Sequence, residues 1–284
     1  MKQKTNELPE LRPGQSLELL KELHILTREG RMNQDSRRKI KQVNHLFQFI
    51  EPLLRELCRE SSAISLVDHG AGKSYLGFIL YDLFFREQAP AARVIGIETR
   101  DELVMKSRTL ADRLGFRGMR FYGLSVADSI ESPHLPQQVD MVTALHACDT
   151  ATDDAIRFAL HKQARFMVLV PCCQAEVAAT LNRRKGEALS DSVLSEIWRH
   201  PIHTREFGSH ITNVLRCLQL EAHGYQVTVT ELVGWEHSMK NELIIARRKG
   251  APRRRQAERL NALLETLGLE ELRGRFFCPE EYNA

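Results

Sequence analysis

The chain has 284 residues, 43% of them hydrophobic and 27% charged, with a formal net charge of +3. This is enough apolar material for one large domain with appendages, and it excludes a wholly disordered chain or a uniformly basic or acidic one. No apolar run approaches the ~18 residues of a membrane-crossing helix, and the polar opening MKQKTNELPELRPG holds no apolar signal core, so neither a span nor a leader is expected.

In chain order, residues 1–14 read as loose, with Pro9, Pro13 and Gly14. From Ser16 the apolar spacing turns helical through Leu17, Leu19, Leu20, Leu23, Ile25 and Leu26, and Gly30 ends that helix or its turn. Ile40, Val43, Leu46, Phe47 and Ile50 then share one face of a second helix running towards Cys58. Beyond residue 60 the pattern changes. AISLVDHG is a short apolar run ending at a glycine and reads as a buried strand, and SYLGFILYDLFF reads as an apolar helix. ARVIGIET is a second strand, DELVMKSRTLADRLG a helix closed by Gly115, and MRFYGLSV and DMVTALHA the third and fourth strands. TDDAIRFALHK is a helix, RFMVLVPCC a fifth strand, residues 187–223 look helical, and YQVTVTELVG and NELIIARRK close the series as antiparallel neighbours. A last short helix surrounds Leu260, Leu263, Leu264 and Leu267. Strands alternating with helices predict an α/β fold with a mostly parallel sheet covered on both faces, which binds ligands at the carboxyl ends of its strands. The expected division is a helical extension over 1–60 (a lid or substrate platform), the α/β domain over 61–249, and a basic linker with a helix over 250–284.

The first strand ends in Asp68-His69-Gly70-Ala71-Gly72-Lys73-Ser74. A phosphate-wrapping P-loop would need a glycine where Val67 stands, inside the strand. A dinucleotide fingerprint would need its third glycine where Tyr75 stands. A carboxylate beside a Gly-x-Gly turn repels a pyrophosphate and suits a cationic ligand such as S-adenosylmethionine, with its ammonium and sulfonium groups, and the glycines let backbone approach it. Glu98, at the end of the second strand, is placed to accept ribose hydroxyls.

These features resemble the class I S-adenosylmethionine-dependent methyltransferases over about residues 60–248. The segments GAGKSYLGFILY, LHACDTATDDAI, VPCCQ and WEHSMKNELIIA resemble a methyltransferase-like branch that includes the corresponding domain of the glutathione S-transferase C-terminal-domain-containing protein. The resemblance implies a Rossmann-like sheet of seven strands, mostly parallel with the last antiparallel, and S-adenosyl-L-methionine as cofactor. It places Asp68, Gly70, Ala71 and Gly72 around the methionine part, Glu98 on the ribose, and Ser125 and Val126 beside the adenine. The family often has Asp where Ser125 stands, so Asp128 or backbone groups are alternative adenine contacts. It sets the reaction at the end of the fourth strand, Leu145 to Thr150, with Leu145 and His146 against the cofactor. Methyl transfer from an activated donor requires positioning and desolvation above all, and a base where the acceptor must lose a proton. His146 and Asp149 are the candidates for that base, although Asp149 could instead cap the helix starting near Asp153. Cys172 and Cys173 after the fifth strand are further catalytic candidates, as a methyl-accepting or thiolate-relay cysteine, or else a polarizable wall of the pocket. A zinc site from His146, Cys148, Cys172 and Cys173 is conceivable but lacks CxxC spacing, and no metal is expected.

Trp235, His237, Lys240 and Asn241 fall on the hairpin GWEHSMKNE, where an aromatic ring beside a cation suits a base or an acidic substrate. Basic clusters stand at Arg31, Arg37, Arg38, Lys39 and Lys41, at Arg183 to Lys185, and at Arg247 to Arg259. They read as solvated faces or as a footprint for RNA or a ribonucleoprotein. The six scattered cysteines fit reduced thiols in a cytoplasmic protein. The expected function is methyl transfer to RNA or an RNA-associated protein. A small-molecule methyltransferase and a cofactor-binding interaction module are the alternatives.

Overall fold

A computed structural model describes residues 11–12, 14–145, 147, 149–172, 174–183, 196–197, 199–232 and 242–279. Seven strands form one sheet: β1 (Ser65–His69), β2 (Arg93–Glu98), β3 (Met119–Gly123), β4 (Met141–Leu145), β5 (Phe166–Val170), β6 (Tyr225–Glu231) and β7 (Glu242–Arg248), in the order β3-β2-β1-β4-β5-β7-β6. β1 pairs in parallel with β2 and β4, and β2 with β3, whereas β7 runs antiparallel to both β5 and β6. This is the expected sheet, with its reversed last strand. The apolar runs read as strands because their side chains are covered on both faces: every residue of β5 is buried, and four of the five in β1.

The helices are α1 (Leu17–Glu22), α2 (Gln34–Glu60), α3 (Tyr75–Leu80), α4 (Arg86–Gln88), α5 (Asp101–Leu114), α6 (Val126–Glu131), α7 (Ala151–His161), α8 (Glu176–Arg183), α9 (Pro201–Ala222) and α10 (Arg254–Thr266). α1 stops at Glu22, short of Gly30. His24 takes a positive φ of 53°, and the N–H groups of Ile25 and Leu26 both donate to the Leu20 carbonyl, which buries these two side chains without a further helical turn. α2 is longer than the apolar spacing alone predicts. Asn33 caps its start by accepting from the Ser36 N–H at 2.8 Å, and the helix continues through Pro52 with Ile40, Val43, Phe47, Ile50, Leu54 and Leu57 on the buried stripe. α3 passes through a π-helical turn (Tyr81–Phe85) into α4, which accounts for the single helix expected there. Of the helical stretch expected over 187–223, α9 accounts for Pro201 onward, with proline in the first turn where its missing N–H costs nothing; residues 184–195 and 198 lie outside the described residues.

The chain divides into two compact units, Met1–Thr143 with Leu232–Ser238 and Ala144–Glu231 with Met239–Ala284. In the first, Phe78 of α3 stacks on Phe121 of β3 at 5.5 Å, and the Gly118 N–H donates to the Tyr81 hydroxyl at 2.9 Å. In the second, α9 packs against α8 and α10, and Val177, Leu181, Leu215, Leu260, Leu264 and Phe276 share one apolar cluster.

Candidate active site

In the first unit the chain leaves β1 through a loop in which Gly70, Gly72 and Ser74 take positive φ values of 65°, 58° and 50°. Glycine meets the first two at no steric cost, while a serine held there is strained. Its hydroxyl explains the strain. Ser74 is fully buried and donates to Asp68 Oδ2 at 3.2 Å, while Thr143 of β4, the register partner of Asp68, donates to Oδ1 at 2.9 Å. Asp68 is therefore turned inward, 2% exposed, and fastens β4 and the start of α3 beneath the loop. Burial pushes its pKa up to about 6, and the hydrogen bonds from Thr143, Ser74 and the Gly77 backbone oppose that rise. Gly77 and Gly96 frame the same spot: a Cβ on Gly77 would stand 2.6 Å from Ser74 Oγ, and one on Gly96 2.6 Å from the Phe121 ring. The letters GKS thus make an inward anchor, with the serine oxygen spent on Asp68.

Glu98 ends β2 and meets this loop. Its Oε2 accepts from the Gly72 N–H at 2.8 Å, and the Ala71 N–H donates to the Ile97 carbonyl at 2.9 Å. Arg100 lies across the carboxylate: Nε reaches Oε1 at 2.9 Å, Nη2 reaches Oε2 at 3.2 Å, and the Arg100 N–H donates to Oε1 at 3.1 Å. Burial alone would raise the Glu98 pKa, but the Arg100 side chain together with the Arg100 and Gly72 amides outweighs it and holds the carboxyl below its usual range. The Arg100 side chain is 62% exposed, so it can leave at little cost. A buried carboxylate beside two left-handed glycines, shielded by one exposed guanidinium, can accept the vicinal hydroxyls of a ribose. Ser125 caps α6, accepting from the Asp128 N–H at 3.2 Å and donating to Asp128 Oδ2 at 2.6 Å. Ser125 and Asp128 are thus bound to each other, and Val126 opens the helix.

In the second unit, Leu145 ends β4 and Asp149 follows with a positive φ of 51°. Asp149 Oδ1 accepts from the Ala175 N–H at 2.9 Å and from the Glu176 N–H at 3.3 Å, so it caps α8 rather than the α7 start near Asp153. Its own carbonyl accepts from Arg216 Nη2 at 2.9 Å. Arg216 on α9 is fully buried and grips Asp153 with a two-pronged contact, Nε to Oδ1 and Nη2 to Oδ2, both 2.7 Å. Its Nη1 donates to Asn213 Oδ1 at 3.1 Å; Gln174 Nε2 donates to that same oxygen at 3.1 Å, and Ser209 donates to Gln174 Oε1 at 2.9 Å. Asn213 also donates to Glu242 at the start of β7. One face of α9 therefore holds both the turn after β4 and Gln174 in the turn after β5. Cys172 is half-buried and outside any disulfide. His146, Cys148, Cys173, Trp235, His237, Lys240 and Asn241 lie outside the described residues. Among the described residues no group of three or more His, Cys, Asp or Glu is placed to hold a metal ion.

The structure thus brings together Asp68, the glycine loop and Glu98, and ties Asp149 to the turn after β5. Sequence reasoning missed Arg216, Asn213, Thr143 and Arg100. Only Arg216 left a signal: an arginine on the buried stripe of α9, beside Thr212, Leu215 and Gln219, demands a buried partner.

A sheet ordered β3-β2-β1-β4-β5-β7-β6 with an antiparallel β7 and a glycine loop after β1 defines a Rossmann-like class I methyltransferase. A family model described as a methyltransferase domain matches residues 38–180, half of the chain, and the chain belongs to that family. It is 24% identical over 239 residues to the glutathione S-transferase C-terminal domain-containing protein of Bos taurus, covering 78% of this chain and 35% of that one. The Mus musculus counterpart is 23% identical over 239 residues, with the same coverage. The chain thus spans about a third of the length of these curated relatives. Among solved structures, a putative O-methyltransferase from Klebsiella pneumoniae matches with a TM-score of 0.49 at 13% identity, covering 85% of this chain and 94% of that one.

Proposed function

We propose that this methyltransferase takes its methyl group from S-adenosylmethionine and delivers it to RNA or to an RNA-associated protein. The observation that carries the donor is the contact between Glu98 and the Gly72 N–H, which sets a carboxylate at the edge of a left-handed glycine loop. When bound, the donor supplies a methyl group already activated on a sulfonium. Glu98 accepts the ribose hydroxyls after Arg100 swings away. Gly70, Ala71 and Gly72 let the backbone lie against the methionine part, with Asp68 holding the loop from below. With the Ser125 hydroxyl spent on its cap, adenine recognition falls to backbone groups of Ser125 and Val126. The cap by Asp149 and the grip of Arg216 support the reading by tying the turn after β4 to that after β5 and to α9, and Leu145 and His146 are the proposed residues against the cofactor. His146 is the proposed base, Cys172 and Cys173 line the pocket, and Trp235, His237, Lys240 and Asn241 grip the acceptor.

The acceptor class is supported by basic surface in both units. Arg38 and Lys41 are exposed on α2, and Arg253, Arg255 and Arg259 are exposed at the start of α10 and along it. Incubating the chain with methyl-tritiated donor and separated RNA, protein and small-molecule fractions of a cell extract tests the reading. Label in RNA or in RNA-bound protein is expected, and it should be absent with Glu98→Ala. Label confined to small molecules would overturn the acceptor.

A further inference from the structure

On the β3 side of the first unit, at the opposite ends of β2 and β3 from the glycine loop, three arginines line one cavity. Arg93 opens β2, Arg117 stands in the turn before β3, and Arg120 is the second residue of β3; all three are exposed. Arg120 Nη1 donates to the Arg117 and Met119 carbonyls at 2.8 and 2.7 Å, which pins its guanidinium over the turn. Next to them the Tyr122 and His134 rings lie parallel, with centroids 5.7 Å apart and planes 7° from each other. These five residues line a cavity of about 590 Å³ that has no Asp or Glu in its wall. A second cavity of about 480 Å³ shares Arg120 and Tyr122 and continues along β3 past Arg108 and Asp112.

This face differs from an ordinary solvated one in combining three arginines and two parallel rings around a cavity whose wall carries no carboxylate. Other arginines of the same unit meet carboxylates: Arg12 and Arg55 meet Glu51, Arg86 meets Asp82, and Arg113 meets Glu18 and Glu22. Among the described residues Arg93, Arg117 and Arg120 make no ion pair. Unneutralised arginines beside flat rings, in two adjoining cavities that share Arg120 and Tyr122, match a chain that alternates anionic phosphates with flat bases.

We propose that this groove binds single-stranded RNA, with its phosphates on Arg93, Arg117 and Arg120 and a base stacked on the Tyr122–His134 pair. It is a docking site separate from the glycine loop, and it rests on the RNA reading above only for the choice of polymer. Binding here would hold a substrate strand on the enzyme while another part of the strand reaches the reaction centre.

The test is fluorescence anisotropy of a labelled single-stranded RNA dodecamer titrated with the full chain, without methyl donor, at several salt concentrations. The wild type should bind with a salt-dependent affinity. The triple variant Arg93→Glu/Arg117→Glu/Arg120→Glu should lose at least tenfold in affinity, and its salt slope should fall by roughly three phosphate contacts. His134→Ala, in an exposed loop, should weaken binding by ~5-fold or more through lost stacking. It keeps the test open should the triple variant fail to fold. The control Arg55→Glu/Arg59→Glu, exposed on α2 and outside the basic surface named above, should keep most of the affinity. Equal affinity in the wild type and in His134→Ala, equal loss in the α2 control, or no binding by the wild type would each overturn the proposal. Donor binding measured on the same variants separates the two readings: a groove that binds RNA in a chain that methylates none leaves this inference standing and removes the acceptor reading.

Discussion

Glu98 Oε2 accepts a hydrogen bond from the Gly72 N–H across 26 residues of chain, and this contact ties the end of β2 to the glycine loop after β1. It sets the carboxylate proposed to hold the ribose where a backbone amide fixes one of its oxygens. Glu98→Gln keeps the shape and removes the charge. It should weaken S-adenosylmethionine by at least about tenfold, because a hydrogen bond to a charged group contributes roughly 1.5–3 kcal/mol. Equilibrium dialysis with labelled donor reads the change. Unaltered affinity would move the ribose elsewhere.

Arg100 makes the opposite prediction. Its guanidinium holds the Glu98 oxygens that the proposed ribose contact requires, so on that reading the donor displaces it. Arg100 is 62% exposed, so water screens its charge and Arg100→Ala should tighten donor binding by no more than ~5-fold. The same dialysis decides it, since weaker binding would show that Arg100 contacts the donor instead of screening Glu98.

Arg216 and Asp153 form a fully buried charge pair, and removing one partner leaves the other stranded. Arg216→Met should cost about 3–5 kcal/mol in urea unfolding, whereas the double variant Arg216→Met/Asp153→Leu should recover much of that loss. A single variant as stable as the wild type would mean that the pair is solvated in solution.

Asp149 separates two roles. As a cap of α8 it needs an acceptor oxygen but no charge. Asp149→Asn should keep both stability and methyl transfer, and Asp149→Ala should lose about 1 kcal/mol. If Asp149→Asn folds normally but transfers no methyl, Asp149 is the base and the capping account fails.

Asp68 supplies a pH signature. Its folded pKa of about 6 lies above the ordinary 3.8, so the folded chain holds this proton more tightly than the unfolded one. Its contribution is full below pH ~4 and is lost as pH rises through about 6, amounting to at most about 3 kcal/mol. Because His69 and His161, whose pKa values are lowered to about 4, gain stability over the same range, the readout is the difference: across pH 4 to 7 the wild type should lose stability relative to Asp68→Asn. Parallel curves would place the carboxyl in water.

Particular residues show which parts of this architecture were legible. The strands could be read because β-branched runs such as VIGI and FMVLV end at glycine, proline or acidic residues, and α2 because its stripe recurs every three to four residues. α6, six residues long after a strand, offers too little periodicity to be seen. The orientation of Asp68 was hidden because β1 is covered on both faces, so alternation carries no information there. The cap by Asp149 joins residues 26 and 27 apart, and the Arg216–Asp153 pair spans 63, contacts that only the tertiary fold creates. The glycine loop and its contact with Glu98 were legible because their signal is local: an acidic strand end, two glycines, and a carboxylate closing the next strand.

The most direct measurement is calorimetric titration of the chain with S-adenosylmethionine, with ATP and NAD in parallel, on the wild type and Glu98→Ala. The account predicts that the methyl donor alone binds and that Glu98→Ala abolishes its binding. Binding of ATP or NAD in its place, or no binding of the donor by folded protein, would contradict it.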